Sequence, residues 1–421
     1  MNKHILKALI IPAAVLGCLT LPASAAPSVT NVRSFQQAGT KLVHIDYDLS
    51  GSGGPFWVGV AGSSDGGATW ALPVTSVTGK VGSGVAAARN LRITWNAGAD
   101  WNGQVSDLVR FRVTASDVVP PGNFVLIPAG SFSMGFAEGD SEERPVHTVN
   151  VSAFYMQNTE VTNDQMVAVL NWAYGQGKLV VTTATVKNAA GSQQEILDLD
   201  SSYCRILWNP TLSRFEMKAA KGSGYPCVRV TWYGSVAYCN YRSEIDGLTP
   251  CYSFTDWSCN FAANGYRLPT EAEWEKAARG GLSGKRFPWG DTDTITHSQA
   301  NYYSYSIYAY DISPTRGYHP TYAVGDYPYT SPVGSFPATG YGLYDMAGNV
   351  WEWCHDWYSS SYYSSSPGTD PRGPASGSSR VIRGGGWGYY AFSCRAASRV
   401  NNFPDLSVSY RGFRPARSSV P

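Results

Sequence analysis

The chain has 421 residues, a formal charge of +1 and only 15% charged residues. That balance, with no basic stripe, argues against a nucleic-acid partner, and the length implies two domains rather than one. Gly (44), Pro (25), Tyr (27) and Trp (14) are abundant, which predicts long ordered loops closed by aromatic packing.

Residues 1–25 read as a secretory signal. Lys3 and Lys7 form the charged start, an apolar run follows, and Ala23-Ser24-Ala25 is a small-residue cleavage site. The run is short and broken by proline, so no transmembrane segment is expected. A rival reading of the same stretch is a lipoprotein signal with Cys18 as the anchored residue. Both readings export the chain, to the periplasm, the cell surface or the medium. Without the leader, Cys204, Cys227, Cys239, Cys251, Cys259, Cys354 and Cys394 remain. An oxidising compartment favours disulfides, and an odd number leaves at least one thiol over. Cys251 with Cys259 is the expected pair, and Cys204 with Cys227 the second choice.

Residues 27–116 differ from the rest. The runs "KLVHIDYDL", "PFWVGVAG", "LRITWNA" and "LVRFRVTAS" are rich in β-branched and aromatic residues and are separated by Gly/Ser/Asp turns. They predict a small β-sandwich of the immunoglobulin or fibronectin type III kind. "SSDGGATW" (63–70) matches the Asp-box hairpin of sialidases, as a stabilised turn or as a glycan site. Residues 117–123 form a Pro-rich linker. From residue 124, "FVLIPAGSFSMG" predicts a strand pair around a glycine turn, then a strand and a helix whose start carries a capping box, Thr162 with Gln165. A second helix is expected from Trp232 to about Glu244, stopped by Gly247. A third starts at Thr270, with Glu273 as reciprocal cap and Trp274, Ala277 and Ala278 on one face. Residues 174–226 are an insertion without a familiar pattern. Beyond Gly280 the periodicity fades into loops, so the pattern alone gives a mixed α and β chain.

Three segments carry a resemblance: "GYRLPTEAEWEKAARGG" (265–281), "GYGLYDMAGNVWEW" (340–353), and "RVIRGGGWGYYAFSCRAASR" with "RGFR" (380–414). Over 124–419 the chain resembles the sulfatase-modifying-factor family, which includes the formylglycine-generating enzymes that oxidise a sulfatase cysteine. The resemblance implies an α+β, C-type-lectin-like fold. It also implies a structural Ca²⁺ held by Asp345, the Gly348 and Val350 carbonyls and Glu352, since calcium takes several hard oxygens from a tight loop. A second calcium site maps onto Asn301, the Tyr302 carbonyl and Asp326. For the substrate groove it implies Trp351, Tyr389 and Arg399; Arg399 read without the family is equally a core residue bonding carbonyls.

The family's chemistry is harder to place. Its enzymes hold Cu(I), a soft ion, between two thiolates that follow a Gly-Gly-Ser motif. Here Gly386 stands for the serine and Tyr389 for the first cysteine. Cys394 matches neither cysteine position, and Tyr410 replaces the asparagine before "GFR". A lone Cys394 argues against copper unless another thiol, such as Cys354, folds against it. The histidines show no zinc spacing, and Cys354-His355 is no natural dyad in an extended segment. Two functions stay open: a calcium-stabilised binding module for an exported sulfatase, a peptide or a glycan, and an active protein-cysteine oxidase.

Overall fold

The computed structural model describes residues 27–51, 56–67, 72–74, 76–116, 123–218, 222–325 and 327–419. The leader with Cys18, the end of the Asp-box match, most of the linker, and Asp326 lie outside the described residues. No helix among the described residues is long and apolar enough to cross a membrane.

The N-terminal strands form where the β-branched runs stand. One sheet has the order Ser28–Gln36, Leu42–Ser50, Ala88–Asn96, Val77–Gly79, and a second the order Gly82–Val85, Phe56–Ser63, Arg110–Ser116. Alternation along each strand sends Ile45, Tyr47, Leu49, Leu91, Ile93 and Trp95 inward to a core shared with Phe56, Val58 and Val113 of the other sheet. The exposed first strand, Ser28–Gln36, was not among the expected runs, because most of its residues are polar and it pairs with one neighbouring strand.

Among the described residues after 123 there are three helices longer than one turn: α2 (Asn163–Gly175), α3 (Trp232–Ile245) and α4 (Glu271–Arg279), the short α1 being Ala97–Asp100. The two expected capping boxes are made. Thr162 accepts from the Gln165 amide while Gln165 accepts from the Thr162 amide, and Thr270 with Glu273 does the same on α4. The α4 helix ends on Gly280 in the left-handed conformation, φ 57°, where an added Cβ would meet the Gly340 backbone at 2.5 Å.

The segment 124–135 does form two strands, but they do not pair with each other. Phe124–Ile127 joins Phe154–Gln157, while Gly130–Met134 joins His147–Val151. The first pair belongs to an antiparallel sheet whose other members are Ala416–Ser418 and Tyr266–Arg267. The sheet therefore gathers both ends of the C-terminal region. A second sheet has the order Arg399–Asn402, Arg380–Arg383, Trp351–Trp357, Arg411–Gly412. It contains the central motif and the two segments that follow it. The α+β class expected from the sequence is what the chain adopts.

The insertion folds into a three-stranded sheet (Leu179–Val181, Thr185–Asn188, Glu195–Asp198) and a hairpin (Ile206–Asn209 with Arg214–Met217). Its Leu179, Val186, Ile196, Leu197, Ile206 and Phe215 enter the same core cluster as Met166, Val169 and Leu170 of α2 and Val236 of α3. It is thus part of the main core.

Every residue of α4 is buried, charged ones included. Each acid finds an arginine: Glu271 with Arg399 at 2.7 Å through both oxygens, Glu273 with Arg267 at 2.6 and 2.7 Å, and Glu275 with Arg279 at 2.7 Å and Arg383 at 2.5 Å. One more pair joins the motifs. Arg414 grips Glu352 through two bonds of 2.6 and 2.7 Å and donates to the carbonyls of Tyr344 and Gln157, while Trp274 of α4 donates to Glu352 at 2.7 Å. Cutting such a pair on one side strands a buried charge. Arg414→Met should lower the unfolding free energy by about 3–5 kcal/mol in a denaturant titration; a loss below about 1 kcal/mol would contradict this role.

Candidate functional site

The loop before Trp351 turns tightly because three of its residues take positive φ: Asp345 (57°), Gly348 (80°) and Asn349 (60°). At Gly348 a side chain is excluded, since a Cβ would stand 2.4 Å from the Asn301 carbonyl. The Asn301 carbonyl accepts from the Asn349 amide at 2.8 Å, so the Asn301 strand runs beside the motif. Asn349 is a buried crosslink. Its side-chain oxygen accepts from the Ser331 amide and its side-chain nitrogen donates to Glu160, both at 2.9 Å.

Glu160 and Asp345 form the most unusual group in this region. Asp345 accepts from the Gly334 amide through Oδ2 at 2.5 Å. Its Oδ1 and the Glu160 Oε2 are buried and lack any donor, although the two carboxyl groups lie close enough to share a hydrogen bond. Burial pushes Asp345 up to about 6. Burial first, and then the Asp345 charge, push Glu160 well above the usual carboxylate range. Two such oxygens call for a proton or a cation between them. Glu352 is different, because its oxygens are already held by Arg414 and Trp274. Among the described residues no group of three or more His, Cys, Asp or Glu side chains is arranged to hold a metal. A cation here would therefore draw on backbone carbonyls, such as those of Gly348 and Val350, for the rest of its shell. Glu160 was missed from the sequence. It lies in "NTEVTN", far from the motif along the chain, and its only signal was an acid directly before the buried Val161.

At the second expected site, the Asn301 side chain donates to the Tyr329 carbonyl at 2.8 Å. The Tyr302 carbonyl is 3.1 Å from Nε2 of His297. Asp326 lies outside the described residues, so the three are not seen together.

Cys204, Cys227, Cys239 and Cys251 share one core cluster with Cys259 against it, and Cys354 and Cys394 lie in two others. All seven described cysteines are free, which corrects both expected disulfides. Across the short hairpin it is Tyr252 that pairs with Cys259. The neighbouring Cys251 therefore faces the other way and its thiol reaches toward the Ala263 carbonyl. Cys204 and Cys227 are fully buried, and their thiols approach the Ile206 and Val228 carbonyls. Cys394 ends the 3-10 turn Ala391–Cys394 and packs with Phe287, Ile295, Ala300 and Tyr302. Cys354 sits in another cluster, with Trp274, Leu343 and Val381. Burial raises both thiols far above their ordinary range, Asp311 adding to the effect at Cys394 and Asp356 at Cys354.

Trp351 and Tyr389 do meet, with ring centroids 5.4 Å apart, and Tyr389 packs on Tyr410 at 4.9 Å. A side chain at Gly386 would touch Trp351 and the Tyr410 carbonyl, both at 3.3 Å. Arg399 is not with them. It is buried on Glu271 and lies over Tyr358 and Tyr363. Around Trp387 runs a continuous aromatic face. Tyr203 of the insertion contacts Tyr327, which stacks on Tyr329 at 4.4 Å and meets Trp387 at 5.3 Å. Tyr318 links Trp387 to Tyr303, then Tyr390, which stacks on Tyr305 at 5.4 Å. Tyr305 is 46% and Tyr390 40% exposed.

Short strands, few helices and long loops pinned by buried ion pairs define an α+β protein built around the 340–353 motif. The chain belongs to the sulfatase-modifying factor enzyme 1-like domain family, whose model matches residues 111–419. The formylglycine-generating enzyme of Streptomyces coelicolor is 34% identical over 315 residues, covering 70% of this chain and 89% of that protein. An inactive C-alpha-formylglycine-generating enzyme 2 of Bos taurus is 30% identical over 321 residues, covering 70% and 87%. Among solved structures, Treponema denticola variable protein 1 matches with a TM-score of 0.50 and 28% identity, over 70% of this chain and 94% of that one.

The burial of the thiols is directly testable. In a chain lacking residues 1–25, a thiol-reactive dye at pH 8 should reach the half-buried Cys259 first and leave Cys354 and Cys394 unmodified until denaturant is added. Rapid labelling of native Cys394 would contradict its placement.

Proposed function

We propose that the chain is an exported, calcium-stabilised binding module for a protein, peptide or glycan, and not a protein-cysteine oxidase. The observation that carries this reading is the separation of Cys394 from Cys354, each in its own core cluster. Copper chemistry of the family's kind needs two thiolates on one soft ion, and neither thiol has a thiol partner here. Tyr389 stands where a thiolate would be needed, and its phenol is no substitute. Similarity to relatives does not decide the question, because an active enzyme and an inactive one are comparably identical to the chain.

For contact with a partner we assign the face that runs from Tyr203 through Tyr327 and Trp387 to Tyr390 and Tyr305. Tyrosine offers a flat apolar body and a hydroxyl at little entropic cost, which suits sugar rings and peptides alike. For calcium we assign Asp345 and Glu160 with the Gly348 and Val350 carbonyls. Glu352 adds negative charge nearby, and Asn301, Tyr302 and Asp326 remain the ligands proposed for a second ion. Bound there, calcium supplies positive charge and no chemistry. The side chains in turn fix the loop from which Trp351 and the second sheet continue.

The second reading, an oxidase acting on a sulfatase, is favoured by the similarity to the Streptomyces coelicolor enzyme. One assay separates the two. The chain is incubated with Cu(I), O₂ and a sulfatase-motif peptide, and the peptide cysteine is followed by mass spectrometry. No conversion is expected beside an active control, whereas conversion that disappears in Cys394→Ser would restore the oxidase. Binding on a glycan and peptide array should weaken at least tenfold in the Tyr305→Ala/Tyr390→Ala variant; binding unaffected by that variant would move the contact face elsewhere.

Calcium is tested by stability. Chelation should lower the melting temperature by several degrees, and Glu160→Gln should reduce that shift. In chelator, Asp345 has a raised folded value of about 6, so its contribution is full below the unfolded value and is lost as pH rises through 6. The metal-free chain should therefore gain stability as pH falls from 7.5 to 5, and calcium should flatten that slope. A chelator without effect at pH 7.5 would remove the assignment.

A further inference from the structure

The N-terminal β-sandwich carries a cavity of about 480 Å³, and all of its described lining except Phe111 lies ahead of the residues 111–419 that the family model matches. Trp95 and Phe111 supply its deep apolar surface: Trp95 is 1% exposed and meets the Phe111 ring edge-on at 5.5 Å. The half-buried Trp101 lines it from the loop after α1. That loop is fixed in place. Asp100 accepts from the Trp95 indole at 2.8 Å and from the Ser76 amide at 2.7 Å, and the Trp101 amide donates to the Ala97 carbonyl at 2.9 Å. Lys41 donates to the side-chain oxygen of Asn102, and the Ser106 hydroxyl to the Ser64 carbonyl at 2.8 Å. The first strand, Ser28–Gln36, contributes Ser34 and Gln36 to the lining. Ser34 stands opposite the core residue Ile45, and Gln36 opposite Val43, which lines the cavity too. Cross-strand partners share a face, so both polar side chains are on the inner side of the sheet, and both are exposed there. The Gln36 amide nitrogen donates to the Thr40 carbonyl at 2.6 Å, which leaves its oxygen as an acceptor.

We propose that this cavity binds a saccharide, with a sugar ring against the Trp101 indole and its hydroxyl groups on the side chains of Ser34 and Gln36. Inner positions of a β-sandwich ordinarily carry apolar residues that fill the space between the sheets. Two polar residues at such positions, both exposed, mark a surface that stays wet. An apolar guest would strip water from these groups without replacing its hydrogen bonds, whereas a hydroxylated ring replaces them. The indole in turn suits the C–H face of a sugar ring. The volume falls in the range of small-ligand pockets, about 300–1,000 Å³, and the fixed loop lowers the ordering cost of binding. This reading does not depend on the aromatic face around Trp387 or on calcium.

Calorimetric titration of the mature chain tests it, with maltotriose, cellotriose and triacetylchitotriose as separate probes and indole as an apolar control. Saturable one-to-one binding of at least one trisaccharide is expected, weakened tenfold or more in Trp101→Ala and in Gln36→Ala and unchanged in Tyr305→Ala/Tyr390→Ala. Gln36 is exposed, so its variant keeps the test open even if Trp101→Ala fails to fold. Trisaccharide binding that is lost in Tyr305→Ala/Tyr390→Ala and kept in Gln36→Ala belongs to the partner face and overturns the cavity assignment. Saturable binding of indole with none of any trisaccharide, or no saturable heat at all, overturns it as well.

Discussion

The Glu352–Arg414 pair is the contact on which the C-terminal architecture turns. Glu352 belongs to the central strand Trp351–Trp357, Arg414 to the final segment, and Trp274, which donates to the same carboxylate, to α4. One buried charge thus joins the three segments that carry the family resemblance. The carbonyls of Tyr344 and Gln157 take two more of the guanidinium protons, so the pair also fixes the entry to the tight loop. In a fold with so little regular structure, this kind of contact replaces the helix packing that would otherwise set the relative position of segments. Buried ion pairs are indifferent contributors to stability when compared with apolar replacements, but they penalise every arrangement that separates them.

The same logic explains α4. Its pattern shows an apolar face of Trp274, Ala277 and Ala278, and the charges between them look like a solvated side. In the structure that side is buried too, each acid meeting an arginine from elsewhere in the chain. Local periodicity cannot reveal this, because the partners Arg267, Arg383 and Arg399 lie on other segments. The capping boxes at Thr162 and Thr270 were legible because both halves of each lie within four residues. The strands of 124–135 were legible as strands but not in their pairing, since register depends on segments such as Phe154–Gln157 that turn cues do not specify.

The candidate site follows the same division. Asp345, Gly348 and Val350 could be marked from one contiguous motif. Glu160 could not, because Asn349 brings it to Asp345 only after folding. The thiols show the limit most clearly. Proximity in sequence suggested Cys251 with Cys259, yet side chains at odd and even positions of a hairpin face opposite ways, and Tyr252 stands opposite Cys259. Counting residues around Cys394 gave an expectation about its place in the family pattern and nothing about its surroundings. Where its sulfur went was decided by Phe287, Ile295 and Tyr302, which close over it.

The seven unpaired thiols carry a consequence for where such a chain can work. A domain stapled by disulfides draws part of its rigidity from its surroundings and loosens in reductant. Here cohesion comes from charge pairs and packed rings, neither of which exchanges electrons with the medium. Six of the sulfurs are sealed within the core, where oxidants and neighbouring chains cannot readily reach them. None of the cohesion among the described residues rests on a disulfide, so a reductant has no such bond to remove from it.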